Sequence, residues 1–337
     1  MAMRFETVLI TGGGGYVGSA LVPLLLGRGH KVVVYDTFFF GDEFMPKDHP
    51  GLTLVKADIR DSGDFAAACA GVDAVIHLAC ISNDPSFALD EGLSTSINLD
   101  CFEPMVVAAK GAGVKRFIYA STSSVYGVSE APDVREDHPL VPLTLYNKYK
   151  GMCEPRLFKH QSDDFVCVTI RPSTVCGYAP RLRLDLTVNI LTNHAVNRGK
   201  ITVFGGEQMR PNLHIDDMID LYALLLDLED GKIAGETFNA GYRNLKVKDI
   251  AGIVKKVVEE EMPDKAPIEI VTTPSDDNRS YHVNSDKIRE TIGFEPKRSV
   301  EDAVRDLCRA FKDGKIPNSF DDDRYVNVTR MQNIGAA

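Results

Sequence analysis

Long apolar runs are missing from this chain. Nothing in it approaches the roughly 20 consecutive residues that cross a bilayer, so no membrane partner is expected. Positive charge is also scarce: 38 Lys and Arg stand against 48 acidic side chains, for a net charge of −10. A nucleic-acid partner needs a basic face, and the basic residues here are scattered, so none is expected. Metal-ligand spacing is absent too. The seven cysteines (Cys69, Cys80, Cys101, Cys153, Cys167, Cys176, Cys308) form no CxxC pair and no His-linked pattern. They read as reduced thiols, with no metal site. The opening residues, MAMRFETVLITGG, have none of the basic, apolar and cleavage regions of a secretory leader. These absences leave a cytoplasmic globular protein, in which the NVT sequon at Asn327 is coincidental.

What is present is a rhythm. TVLITG, KVVVYD, LTLVKAD, DAVIHLA, RFIYAS and FVCVTIRP are short apolar strands. Helix-length segments separate most of them: YVGSALVPLLLGRG, SGDFAAACAG, about Leu93 to Lys110, and Tyr146 to His160. Such alternation predicts an α/β fold, a Rossmann-type doubly wound parallel sheet. After about Thr174 the pattern turns irregular. Helical LTVNILTNHAVNRG and VKDIAGIVKKVVEEEM alternate with short strands ITVFG, ETFNAG and IEIVTT, which reads as a smaller mixed α/β C-terminal lobe. The expected division is 1–174 for the dinucleotide-binding domain and 175–337 mainly for a substrate lobe, with some segments returning to the first domain. The acidic end, NSFDDDRYVNVTRMQNIGAA, is expected on the surface or mobile.

The first strand runs into TGGGGYVG, which fits both GxGxxG and GxxGxxG. Such a run can be a flexible turn. Between a strand and a helix it can also bring backbone close to a pyrophosphate at the helix N-terminus. Asp36 ends the second strand, where a carboxylate accepts both ribose hydroxyls of an adenosine and repels a 2′-phosphate. No Arg follows in DTFFFG, so NAD is expected rather than NADP. Asp58-Ile59 ends the third strand, as an adenine contact or simply as part of the acidic cluster DIRD.

The segment YNKYK places Tyr146 and Lys150 four residues apart, on one helical face. An ammonium beside a phenol favours the phenolate, giving a base near neutral pH. A lone YxxxK can also be a solvated pair, but this one follows a nucleotide-binding pattern.

With HLA, STSSVYG and GGEQMRPNLHIDD added, the motifs together resemble the extended short-chain dehydrogenase/reductase family, specifically its nucleotide-sugar epimerases and dehydratases. The similarity runs from about residue 5 to 312. The resemblance implies Thr122 as catalytic hydroxyl, Tyr146 as base and Lys150 as ligand of the nicotinamide ribose. It implies an NAD site lined by Gly12, Gly15, Tyr16, Val17, Gly18, Asp36, Asp58, Ile59, Leu78, Ala79, Asn98 and Ser121, with His77 structural. Ser123 and Ser124 stand where the 4,6-dehydratases carry Asp and Glu, and decarboxylating members usually have Glu at the second position. Serines cannot perform that acid–base work. What remains is oxidation at C4 of a nucleoside diphosphate sugar, by a 4-epimerase or by a C4 dehydrogenase.

Arg210 and Arg279 resemble the family's diphosphate clamp. Phe204 resembles a residue flanking the base, or serves as a core aromatic. Ser123, Thr174, Arg181, Arg183 and Asn189 are expected at the substrate, and the segment YAPRLRLDLTVN also resembles C4 dehydrogenases of GDP-heptose. The apolar faces of the helices near Leu93–Lys110 and Tyr146–His160, together with the pairing of relatives there, imply a homodimer.

Overall fold

The computed structural model describes residues 4–275 and 280–335. Twelve strands follow one another: β1 (Thr7–Thr11), β2 (Lys31–Asp36), β3 (Leu52–Lys56), β4 (Ala74–His77), β5 (Arg116–Ala120), β6 (Val166–Pro172), β7 (Thr174–Cys176), β8 (Lys200–Phe204), β9 (Met209–His214), β10 (Glu236–Ala240), β11 (Arg243–Lys246) and β12 (Glu269–Thr273). Seven of them form one sheet in the order β10-β6-β5-β4-β1-β2-β3, with every pairing parallel. The doubly wound sheet expected from the sequence is therefore present. Its central strands are apolar throughout because helices cover both faces. Val8, Leu9 and Ile10 of β1, for example, are fully buried. The helix Tyr16–Gly27 packs with Ile215–Asp227 on one face. Helices Ser62–Ala68, Phe102–Gly111 and Leu145–Phe158 cover the other.

The second lobe holds a three-stranded sheet, β11-β9-β7, and the parallel pair β12-β8. Helices Thr187–Arg198, Val247–Glu261 and Val300–Lys312 close its core around Leu191, Ile201, Val254 and Val304. Not everything after Thr174 belongs there. ETFNAG is β10, an edge of the large sheet beside β6, because its Phe238 and Ala240 complete the core under the Ile215–Asp227 helix.

Two sequence expectations need correction. The helix expected over Leu93–Lys110 is three pieces: Glu91–Thr95, a π-turn at Ser96–Asp100, and Phe102–Gly111. The acidic tail, expected on the surface or mobile, lies mostly at the surface but is anchored at three buried positions. Its Tyr325, Asn327 and Met331 are buried, and Leu184 N–H donates to Tyr325 O at 2.8 Å. The chain end returns across the molecule as a strap, through a 3₁₀ turn at Asp323–Tyr325 and a helix at Asn327–Asn333.

Candidate active site

A cavity of about 660 Å³ opens at the carboxyl ends of β1, β2, β4 and β5, where an open α/β sheet places its ligands. Gly12 forms its floor with a φ of +69°, a left-handed conformation that favours glycine. A Cβ there would meet Ala79 N at 2.6 Å, so the first turn and the end of β4 touch through backbone alone. Gly15, Tyr16, Val17 and Gly18 line the same wall at the start of the helix. Its unpaired N–H groups and dipole suit a pyrophosphate. These features form the cradle that NAD requires.

Asp36 lines the cavity and is held by Gly14 N–H at 2.8 Å and Phe38 N–H at 2.7 Å. Burial raises its pKa, and those two donors oppose the rise. Asp58 and Ile59 line the cavity, but the Asp58 carboxylate is chelated by Arg60, which holds it below the usual range. Leu78 and Ala79 line the far wall. Asn98, also expected at NAD, does not line the cavity. Both ends of its amide bind the backbone of Ile81, N–H to Oδ1 at 2.8 Å and Nδ2 to the carbonyl at 2.9 Å. His77 lies in the core, stacked on Tyr119, with Nδ1 2.7 Å from Thr11 Oγ1. Burial, aided by the Lys150 charge, holds it neutral.

Tyr146 and Lys150 both line the cavity from the helix Leu145–Phe158. Thr144 caps that helix through Asn147 N–H and donates to Asp84 Oδ1 at 2.7 Å. Tyr146 therefore sits in the first turn, where the helix dipole favours an anion. The sequence expects Lys150 to pull the phenol down. Instead, burial pushes Tyr146 well above its ordinary value, with Cys80 adding to the rise and Arg183 opposing it. The Lys150 ammonium donates to Ala120 O at 2.7 Å.

Thr122 lies at the end of β5, and its Oγ1 is 2.7 Å from Ser124 Oγ. Ser124 in turn donates to Asn147 Oδ1 at 2.6 Å. That direction leaves Ser124 as acceptor, so the proton of Thr122 points to Ser124 rather than being free for a sugar oxygen. Ser121 lines the cavity while its hydroxyl donates to Glu154 Oε1 at 2.6 Å, within a buried Glu154–Arg171 ion pair. Asn147 is the residue that sequence reasoning missed. Its signal was present in YNKYK, beside the tyrosine.

Of the residues expected at the substrate, Ser123, Thr174, Arg183 and Arg210 line the cavity, as does Tyr281 under the Arg210 guanidinium. Arg183 is clamped by Asp185 at 2.9 and 3.0 Å. Arg181 also lines it, with its guanidinium over the ring of Phe40 at 3.8 Å. Asn189 does not line it; its amide holds Gly177, Tyr16 and the Arg183 carbonyl. Phe204 is 60% exposed on the end of β8 and lines neither the cavity nor the core. Arg279 lies outside the described residues.

One cluster with possible metal-ligand geometry, His214, Asp216 and Asp306, also lies off the cavity. His214 Nδ1 accepts from Asp216 N–H at 3.1 Å, so in the neutral ring Nε2 carries the proton, 3.3 Å from Asp306 Oδ2. Despite that distance, Nε2 makes no hydrogen bond among the described residues.

The chain is 27% identical to UDP-glucose 4-epimerase of Lactobacillus helveticus, over 94% of this chain and 99% of that one. It is 27% identical to UDP-glucuronic acid decarboxylase 2 of Arabidopsis thaliana, over 90% of this chain and 68% of the other. Among solved structures, UDP-N-acetylglucosamine 4-epimerase from Methanobrevibacter ruminantium superposes with a TM-score of 0.82 at 23% identity, covering 93% of this chain and 100% of that one. At that identity the likeness speaks to fold. The model of the NAD dependent epimerase/dehydratase family matches residues 8–241, most of the chain and every strand of the large sheet. With its glycine cradle, Asp36 and the Tyr146–Lys150 pair in one cavity, the chain belongs to that family and is an NAD-dependent enzyme of the extended short-chain dehydrogenase/reductases.

Proposed function

We propose that the protein oxidises and then re-reduces C4 of a nucleoside diphosphate sugar, inverting that centre as a nucleotide-sugar 4-epimerase. The observation that carries this reading is the hydroxyl chain Thr122–Ser124–Asn147 beside Tyr146. By the resemblance, Ser124 of this chain of hydroxyls, with Ser123 beside it, stands where elimination or decarboxylation needs carboxyl groups. Two carboxylates near Tyr146 are already engaged, Asp84 by Thr144 and Asp185 by Arg183. Relatives named as UDP-glucose 4-epimerases and UDP-glucuronic acid decarboxylases support the substrate class, and the choice of reaction rests on the site.

NAD, held by the Gly12–Gly18 turn, Asp36 and Lys150, would supply the hydride acceptor and donor for C4. Tyr146 takes the C4 hydroxyl proton at its phenolic oxygen, helped by the helix dipole and Arg183. Thr122 swings its proton from Ser124 to the sugar oxygen as charge shifts there. Lys150, anchored on Ala120 O, positions the ribose end, and Arg210 of the second lobe takes the diphosphate. All seven cysteines are unpaired, which suits a reducing cytoplasm.

The test is a panel of UDP-, GDP- and dTDP-hexoses, with product configuration read by NMR. An inverted C4 with no net reduced cofactor is expected. Tyr146→Phe should lower turnover by roughly 10³-fold and Thr122→Ala by about 10²-fold, with the fold intact. A 4-keto product with stoichiometric reduced cofactor would replace the epimerase by a C4 dehydrogenase. Loss of the C6 hydroxyl would overturn both.

A further inference from the structure

Arg181 is 1% exposed, yet it lines the cavity. Its side chain donates to Asn327 Oδ1 of the C-terminal strap, and its Nε has no hydrogen-bond partner among the described residues. Phe40 lies flat against the guanidinium, and the Arg181 backbone N–H is fixed on Ser19 Oγ in the first helix at 3.1 Å. The group is thus held between the glycine-turn helix and the loop after β2. Burial, with Arg183 adding to it, lowers its pKa to about 9, while Asp185 and Asp36 oppose the fall. A buried guanidinium with open donors is costly unless an anion meets it.

The strap that holds Arg181 also closes over the same end of the cavity. Asn327 and Val328 line the cavity, and Asn327 Nδ2 donates to Ser82 Oγ at 2.9 Å. Arg330 Nε donates to Phe39 O at 2.8 Å, and Arg324 pairs with Glu43. These contacts join the chain end to the loop that follows Asp36.

The geometry points to a clamp on the dinucleotide: Arg181, fixed beside the glycine-turn helix, binds the pyrophosphate, and the strap of residues 316–334 locks it there. The glycine turn approaches the diphosphate through backbone N–H groups, whereas Arg181 supplies the full positive charge. Because the strap lies across the exit, the cofactor is retained through the catalytic cycle. An epimerase that must return its hydride requires that retention, whereas an enzyme that exchanges reduced cofactor does not.

The test uses the full chain stripped of nucleotide, titrated calorimetrically with NAD, ADP and adenosine. Arg181→Met should weaken NAD and ADP by about 30-fold and adenosine by less than about twofold, because only the first two carry the diphosphate. Arg181→Lys keeps the buried charge and so protects the fold. It should cost roughly tenfold on ADP and leave adenosine unchanged. Equal losses on ADP and adenosine in either variant, or no loss on ADP, would overturn the pyrophosphate role. Arg330→Ala leaves the cavity residues in place and should raise the NAD dissociation rate about tenfold, measured by displacement with excess ADP. An unchanged dissociation rate would overturn the role of the strap.

Discussion

Arg183 shows how much one charge can decide in this cavity. Tyr146 is pushed up by burial, with Cys80 next, and Arg183 is the cation that opposes the rise. A positive charge stabilises the phenolate, so removing it must raise the phenol further. Arg183→Met should therefore move the rising limb of the pH–activity profile to higher pH by about one unit, and Arg183→Lys should move it less. A profile that keeps its midpoint in Arg183→Met would mean that Asp185 already neutralises the guanidinium. Which residues matter at this scale was only partly legible. Tyr146, Lys150 and Asp36 announce themselves because their spacing is fixed by one helix or one strand end. Asn147 stands beside Tyr146 in YNKYK, but Asp185 and Asn327 act through contacts made across the fold, 142 residues apart for the bond from Asn327 N–H to Asp185, and no local pattern encodes those. Arg181 and Arg183, two residues apart in sequence, donate to different partners, Asn327 for the first and Asp185 and Ser82 for the second.

The π-turn Ser96–Asp100 is the element most hidden from the sequence, because one wide turn barely disturbs the helical spacing of apolar residues. It carries Asn98, whose amide satisfies both backbone groups of buried Ile81 and so fixes the segment entering the cavity. Asn98→Ala would leave those two groups without partners. The expected cost is about 2–4 kcal/mol in urea unfolding, with substrate-independent loss of activity only near the midpoint. A loss under about 0.5 kcal/mol would mean that water replaces the amide. The parallel strands, in contrast, were readable at once, since each is a short apolar run covered on both faces. β10 was readable as a strand but not as a member of the large sheet. Its five residues do not reveal which sheet edge they join. The tail misled because its charges pair internally, Arg324 with Asp322 and Arg330 with Asp323, so that polar composition conceals an anchored strap.

At the scale of the whole molecule, the helix pair on one flank of the large sheet remains to be covered. Phe102–Gly111 and Leu145–Phe158 pack side by side over the core of Phe65, Met105 and Leu157. Their outer surface is mixed: Pro104, Val107 and Pro155 are exposed there beside Lys148, and Val107 is 51% accessible. Two such helices meeting their copies across a two-fold axis would make a four-helix interface, self-complementary as C2 symmetry requires. A stable pair of this kind buries on the order of 1,200–2,000 Å². Because Tyr146 and Lys150 lie on the inner face of the same helix, pairing would also stiffen the element that aims the base. Sedimentation at micromolar concentration should give a single species of twice the chain mass. Val107→Arg, which places two like charges across the axis, should shift it toward monomer without altering NAD affinity by more than about threefold. A wild-type chain that sediments as a monomer would overturn the homodimer and leave Val107 as an ordinary exposed side chain.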